Sequence, residues 1–424
     1  MVVGVGANLP AMGGFNQAVI LDAIRRAADG ISRVELAERT GLSAQTITNV
    51  SRRLLADGVI REAGTVVAGV GKPRTSLELR PEGRFAIGVH LDPSLTGVVL
   101  LDLAGRVLDH RVLDVDPEHT AQRTLEGVAG TVRDLVAGAG EGARERMLGV
   151  GIAAPGPLLE ASGLILNPPL LPRWEGVPVR DLLSDLVELP VLLEKDVTAA
   201  AVAEQWMARG DRANFAFVYY GTGIGFGLVL QGEVIRAASG NAGDVGGMAV
   251  GFAGAGAGDA DAADRTRPFG ESVSPTAVVP RALAQGVVLD TPPRAGGFHL
   301  LDEFTELCRL ASADPAPGST GGGGAAAIIE QVSRDLARSL VPIANLLDVD
   351  RFVFGGPFWA PLAPHALRAV DAAFAGNPLL VGAHPIAFEE SAMGADVTAV
   401  GAACLVLDHA FSPRPARLLL SHRA

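Results

Sequence analysis

Cysteine is nearly absent from this chain. Its 424 residues hold two, Cys308 and Cys404, both in apolar surroundings. That excludes a disulfide framework and reads as two inert buried thiols. Long apolar runs are missing too: none reaches ~18 residues without a Gly, Pro or charged break, so no membrane span is expected. The first residues lack a basic stretch followed by an apolar core and do not read as a signal peptide. A soluble, cytoplasmic protein with no membrane partner is the expectation. Positive charge is in deficit, with a net charge of −12. The deficit is uneven. Residues 1–80 hold 10 Lys+Arg against 7 Asp+Glu, and the rest holds 25 against 40. An acidic body repels nucleic acid, so any DNA contact should be confined to the N-terminal module. The length calls for two or three domains.

That module carries the strongest local signal. Ser32 and Glu35 form an S-x-x-E capping box, which should start a helix. Val34, Leu36 and Ala37 supply its apolar face. Gly41 provides a tight turn, and Ser43 is a good N-cap for a second helix. In that helix Ile47, Val50 and Leu54 recur at i, i+3, i+7 and must face inward. Ser43, Gln45, Thr46, Thr48, Asn49, Arg52 and Arg53 are left outside, a polar and basic face suited to a DNA major groove. Val59–Glu62 and Thr75–Leu79 alternate as strands do and flank a Gly-rich tip at 69–74. This reads as a wing, with Lys72 and Arg74 placed for phosphate or minor-groove contact. The competing reading is a small helical domain that docks on protein. Capping, turn, outward face and basic wing all agree against it.

Beyond Arg80 the pattern changes. Strands at Phe85–Leu91, Gly97–Leu103 and from Gly105, a helix near Ala121–Ala137 and a buried strand at Leu148–Ala153 make an α/β lobe. A second lobe starts near Val191 and repeats the scheme, with a long helix at Ala325–Leu346. The expected division is a disordered tail over 1–15, a winged helix-turn-helix over 16–80, lobe 1 over 84–190, lobe 2 over 191–394, and a closing helix over 395–411 that returns to lobe 1. Gly251–Ala263 and Ser319–Ala327 are low in complexity and read as flexible loops.

An ordered set of motifs then resembles one family. They are Gly151-Ile152-Ala153-Ala154-Pro155-Gly156-Pro157, Asn167-Pro168-Pro169 through Pro178, and Glu194-Lys195-Asp196-Val197-Thr198. Gly221-Thr222-Gly223-Ile224-Gly225-Phe226-Gly227, Gly240-Asn241-Ala242-Gly243-Asp244 and Phe354-Gly355-Gly356 follow in order. The chain resembles the ROK family of repressors and sugar kinases, in its regulator form, over about residues 16–408. The resemblance implies an α/β fold: a winged helix-turn-helix followed by an actin-like, two-lobed sugar-kinase fold with a ligand cleft between lobes.

The same resemblance allows the kinase parts to be checked. The family's D-x-G-G-T phosphate loop corresponds here to His90-Leu91-Asp92-Pro93-Ser94. Proline removes an N–H donor and an aspartate repels phosphate. Asp196 matches the family's general base, but in a non-enzyme it can accept a sugar hydroxyl. Lys195 replaces a sugar-binding Asn; it can meet hydroxyls, an anionic ligand, or form a salt bridge to Glu194 or Asp244. Gly221–Gly227 is intact, though such runs also make hairpins. The family's zinc-binding His is Gly247 here, and no Cys lies between Gly210 and Leu307. A four-ligand N/S zinc site cannot be built there. The expectation is a DNA-binding transcriptional regulator, a repressor by sign, without kinase activity, metal or cofactor. Its partners would be a double-stranded DNA operator and a sugar or sugar-derivative effector, bound by Pro155, Gly156, Lys195, Asp196, Asp244 and Glu271. A homodimer or homotetramer follows from the resemblance. Two alternatives stay open: a sugar kinase with an added DNA-binding domain, and a regulator without a small-molecule effector.

Overall fold

Capping and turn chemistry shape the N-terminal module as the residues dictate. In the computed structural model, which describes residues 9–27, 29–66, 74–115, 119–166, 168, 170–208, 213–250, 267–291, 299–313 and 320–412, the capping box is closed on both sides. The Ser32 hydroxyl accepts from Glu35 N (3.3 Å), and the Glu35 carboxylate accepts from Ser32 N (2.8 Å). The helix Arg33–Thr40 ends at Gly41, whose φ of +69° suits the left-handed cap. The helix Ala44–Ala56 then starts at Ser43, whose hydroxyl accepts from Thr46 N. Ile20, Leu21, Ile24, Leu36, Ile47, Val50 and Leu54 form the core. Val34 does not join them and is 45% exposed. Two residues along a helix turn about 200°, so it cannot share the face of Leu36. The hairpin Ile60–Val66 with Arg74–Leu79 follows, and the short strand Ile31–Ser32 pairs with its second strand. The wing tip, with Lys72, lies outside the described residues. The first helix runs Leu9–Arg25, so residues 9–15 belong to it rather than to the expected tail, and residues 1–8 lie outside the described residues. Proline is well tolerated in the first turn of a helix, so Pro10 does not stop it from starting at Leu9.

Lobe 1 is a five-stranded sheet ordered Val191–Lys195, Met147–Ala154, Phe85–Leu91, Leu95–Asp102, Val107–Asp114. The first three strands are parallel and the last two form antiparallel pairs. The strand Val191–Lys195, where the second lobe was expected to begin, therefore belongs to lobe 1. The helix Val179–Val187 is the crossover of a parallel unit, and a crossover returns its strand to the sheet it left. Lobe 2 is ordered Glu233–Val234, Ile224–Leu230, Phe215–Tyr220, Arg351–Gly355, Ala387–Glu390. The helices Leu300–Ser312, Thr320–Leu347 and Trp359–Phe374 share its core. The helix beginning at Thr320 overrides the loop expected at 319–327. A helix growing from Ala325 carries the four glycines as its first turns, where they cost least. Gly251–Ala263 lies outside the described residues.

Two helices occupy the space between the sheets, Asp196–Met207 and the closing helix Val397–Phe411. The closing helix lies against the lobe 1 sheet at bare backbone. A Cβ on Gly88 would come within 1.9 Å of Ala399 O, and one on Gly151 within 1.8 Å of Ala402 O. It is long and apolar enough to cross a membrane by length and composition alone. Residues Val397–Leu407 are buried, which accounts for that apolarity.

Candidate functional sites

The helix Ala44–Ala56 presents the outward face expected of it, with different members free. Ser43, Gln45, Asn49, Arg52 and Arg53 are exposed, while Thr46 and Thr48 are half-buried. Thr48 Oγ1 donates to Ala44 O (2.8 Å), and the hydroxyls of Ser43 and Thr46 lie 2.9 Å apart. Gln45 Nε2 donates to Asn49 Oδ1 (3.1 Å), which leaves the amide N–H groups of the exposed Asn49 available. Among the described residues Arg52 and Arg53 have no carboxylate partner, whereas Arg33 pairs with Glu62 and Arg61 with Glu78. Arg74 begins the second wing strand.

A cleft of about 580 Å³ opens between the lobes. It brings together Pro155, Gly156, Lys195, Asp196 and Asp244. Glu271 does not line it: it is exposed on the short helix Phe269–Val273, with its carbonyl facing Arg281. Lys195 and Asp196 sit where a strand ends and a helix begins, so both project from the strand's C-terminal edge. Lys195 is one of two lysines in the whole chain. Its Nζ donates to Asn241 O (3.3 Å), and Glu194 is taken by Arg236 (2.6 Å). The salt-bridge alternative for Lys195 is therefore not realised among the described residues. Burial pushes the Asp196 carboxyl up to about 7, against the pull of Lys195 and the backbone N–H of Val197, with Asp92 and Asp244 adding to the rise. Tyr219 and Asn241 were missed from the sequence. Tyr219 lines the cleft, and the Asn241 side chain ties Leu158 N and O across it (2.6 and 2.8 Å). Asn241 stood inside a quoted motif and was readable; Tyr219 looked like one more apolar strand residue.

The turn Asp92-Pro93-Ser94 also lines the cleft, and it is closed on itself. Asp92 N donates to Leu95 O (3.1 Å), Pro93 has no N–H, and Ser94 N donates to Asp92 Oδ1 (2.8 Å). No backbone donor of this turn is left for a phosphate. His90, in the place of a metal-handling Asp, is buried, and its Nε2 lies 3.3 Å from the Tyr219 hydroxyl. Burial lowers its pKa below the ordinary range, against the pull of Asp92 and Asp396, and so disfavours the charged imidazolium. Among the described residues there is no group of three His, Cys, Asp or Glu that could hold a metal ion.

The DNA-binding module touches the body at the far end of a cleft helix. The helix that starts at Asp196 ends beside the DNA-binding module. There the Arg25 guanidinium sits 4.3 Å from the centre of the Trp206 ring and donates to the Trp206 carbonyl. Asp22 holds the same guanidinium at 2.6 Å. Cation–π contacts of this kind are favourable when desolvated, and Trp206 is buried.

Comparison with known proteins agrees with this geometry. The ROK family pattern matches residues 87–258, and a winged helix-turn-helix DNA-binding pattern matches residues 19–61. The chain carries a ROK family domain behind a winged helix-turn-helix. The chain is 29% identical over 223 residues to a putative xylose repressor of Caldicellulosiruptor sp. strain Rt8B.4. That match spans 52% of the chain and about half the relative's length, 55%. It is 27% identical over 356 residues to a transcriptional regulator of Mycobacterium tuberculosis H37Rv, covering 82% of this chain and 76% of that one. A crystal structure of a ROK family transcriptional regulator, a homologue of the E. coli MLC protein, superposes with a TM-score of 0.69 at 18% identity. It covers 96% of this chain and 99% of its own. A ROK hexokinase from Thermus thermophilus superposes at 0.54 with 24% identity, over 76% of this chain and 97% of its own. These likenesses show the fold: a winged helix-turn-helix and a sugar-kinase-like body.

Proposed function

We propose that this chain is a DNA-binding transcriptional repressor that responds to a sugar or sugar derivative and has lost kinase activity. The observation that carries the reading is the pairing of two features in one chain. An exposed helix face with unpaired Arg52 and Arg53 is joined to a cleft whose phosphate loop has no backbone donor left. A kinase with an added DNA-binding domain would need that loop open. The relatives named as repressors and transcriptional regulators support the same reading.

In this reading Ser43, Gln45, Thr46, Thr48, Asn49, Arg52 and Arg53 face the major groove of an operator, and Lys72 and Arg74 its backbone. Pro155, Gly156, Lys195, Asp196 and Asp244 hold the effector. The cleft sets three carboxylates, Asp92, Asp196 and Asp244, against one ammonium, Lys195. That balance suits an uncharged polyol, whose hydroxyls the carboxylates accept, over a sugar acid or phosphate. An effector that prefers one closure state of the lobes shifts the helix Asp196–Met207, and Arg25 carries the shift to the DNA-binding module. A cytoplasmic homodimer or homotetramer on two-fold operators completes the reading, with no cofactor and no zinc.

The test is a fluorescence-anisotropy titration of the full chain on DNA upstream of its own gene, with and without a panel of neutral sugars. Saturable, sequence-specific binding weakened by one sugar is expected. Binding indifferent to every sugar favours a regulator without a small-molecule effector. Sugar-dependent ADP release would overturn the reading in favour of a kinase.

A further inference from the structure

We propose that a second ring-binding subsite lies beside the cleft, in lobe 1, and that the effector is a neutral glycoside of two rings. This deepens the sugar-responsive reading above and rests on it. A cavity of about 550 Å³ lies next to the cleft, and Asp92 and Pro93 line both. The two spaces share a wall but are lined by different residues beyond it, so a single sugar ring held at Asp196 leaves the second space empty.

The lining of this second cavity is amphipathic. Pro93 and Trp174 contribute apolar walls, Thr96 and Thr124 bring hydroxyls, and His119 and Arg173 add further polar groups. A pyranose ring presents an apolar C–H face and a rim of hydroxyls, and this combination matches both. Trp174 is fixed by the short turn Pro172–Trp174, its N–H donating to Leu171 O (2.9 Å), and it is buried. The partition between the two cavities is equally fixed. The Asp92 carboxylate is engaged by Ser94, and the turn is closed by Asp92 N to Leu95 O. A ligand that reaches from Asp196 to Trp174 therefore passes Pro93. Here the ring that spoils a phosphate loop offers an apolar surface and no competing donor. The change that removes kinase chemistry thus also provides the wall shared by two sugar subsites.

Isothermal titration of the full chain with D-xylose, D-glucose, xylobiose and cellobiose tests this. At least one two-ring sugar should bind about tenfold more tightly than its own monosaccharide. Thr124→Phe fills the second cavity from a half-buried helix position. It should erase the advantage and leave monosaccharide binding unchanged. If that variant loses its cooperative melting transition, Trp174→Phe serves instead and should cut the advantage at least threefold. Equal binding of one- and two-ring sugars by the wild type, or an advantage that survives both variants, overturns the proposal. Monosaccharide binding abolished by Asp196→Ala would then leave the sugar-responsive reading standing. If no sugar of either size binds, that reading falls and this proposal with it.

Discussion

Asp196 is the residue on which most of the chemistry turns. Its carboxyl titrates at about 7 in the folded chain, above the ordinary value of 3.8, because burial disfavours its charge. An acid raised by folding destabilises the fold where it must ionise. The effect is absent below about pH 4, grows as the pH rises from there to about 7, and is complete above. Asp196→Asn should therefore melt higher than wild type at pH 8 and equal it near pH 4, measured by thermal denaturation across that range. A constant offset between the two proteins would show that Asp196 ionises freely. The same titration bears on ligand binding. A hydroxyl-accepting carboxylate should bind a neutral sugar better as the pH rises through 7, and the Asn variant should lose that slope. Lys195→Met should weaken a neutral sugar by less than tenfold, since Nζ is already engaged by Asn241 O. At this scale the sequence was legible wherever a motif named the residue, as with Lys195, Asp196 and Asp244. It was not legible for Tyr219, because alternation marks a strand residue as inward without saying that its hydroxyl reaches a cleft.

Helices and strands carry the effects further. The helix Ala44–Ala56 was readable in detail, because capping and the i, i+3, i+7 spacing are local rules. Asn49→Ala should cost about 1–3 kcal/mol at the cognate operator and little elsewhere. Arg53→Gln should weaken binding to all sequences and lower the salt slope by roughly one, seen in anisotropy titrations at several salt concentrations. The strand Val191–Lys195 was placed in the wrong lobe, because sheet membership is decided by a crossover and not by the strand's own residues. The helix Asp196–Met207 runs from the cleft to the DNA-binding module. What it connects was invisible, since Arg25 and Trp206 are 181 positions apart. Arg25→Ala should leave operator affinity and sugar affinity each within about twofold of wild type. It should nonetheless remove most of the coupling between them, a quantity usually worth about 1–3 kcal/mol. Intact coupling in that variant would mean that the signal travels by another route.

On the scale of the whole molecule, an acidic body with a sugar-kinase-like fold carries a basic module. Residues 1–80 carry a surplus of positive charge and the remainder a surplus of negative charge. DNA should therefore meet the module alone, with the body kept off the duplex by repulsion. The two-lobed architecture was legible because its motifs recur in a fixed order. The position of Glu271 was not, because a low-complexity segment precedes it and offers no motif to fix the register. In the proposed reading the loss of kinase activity is spread over several residues, which would make it hard to reverse. Pro93→Gly would return one N–H to the turn, but Ser94 N would still be held by the Asp92 carboxylate, and that carboxylate would still repel phosphate. His90 would remain buried against the Tyr219 hydroxyl, in no position to handle a metal. Neither wild type nor Pro93→Gly should release ADP above background with ATP, magnesium and any common hexose or pentose. A coupled assay for ADP checks both proteins. Sugar-dependent turnover in the wild type that disappears in Asp196→Asn would show that the closed turn opens in solution and that the chain is still an enzyme.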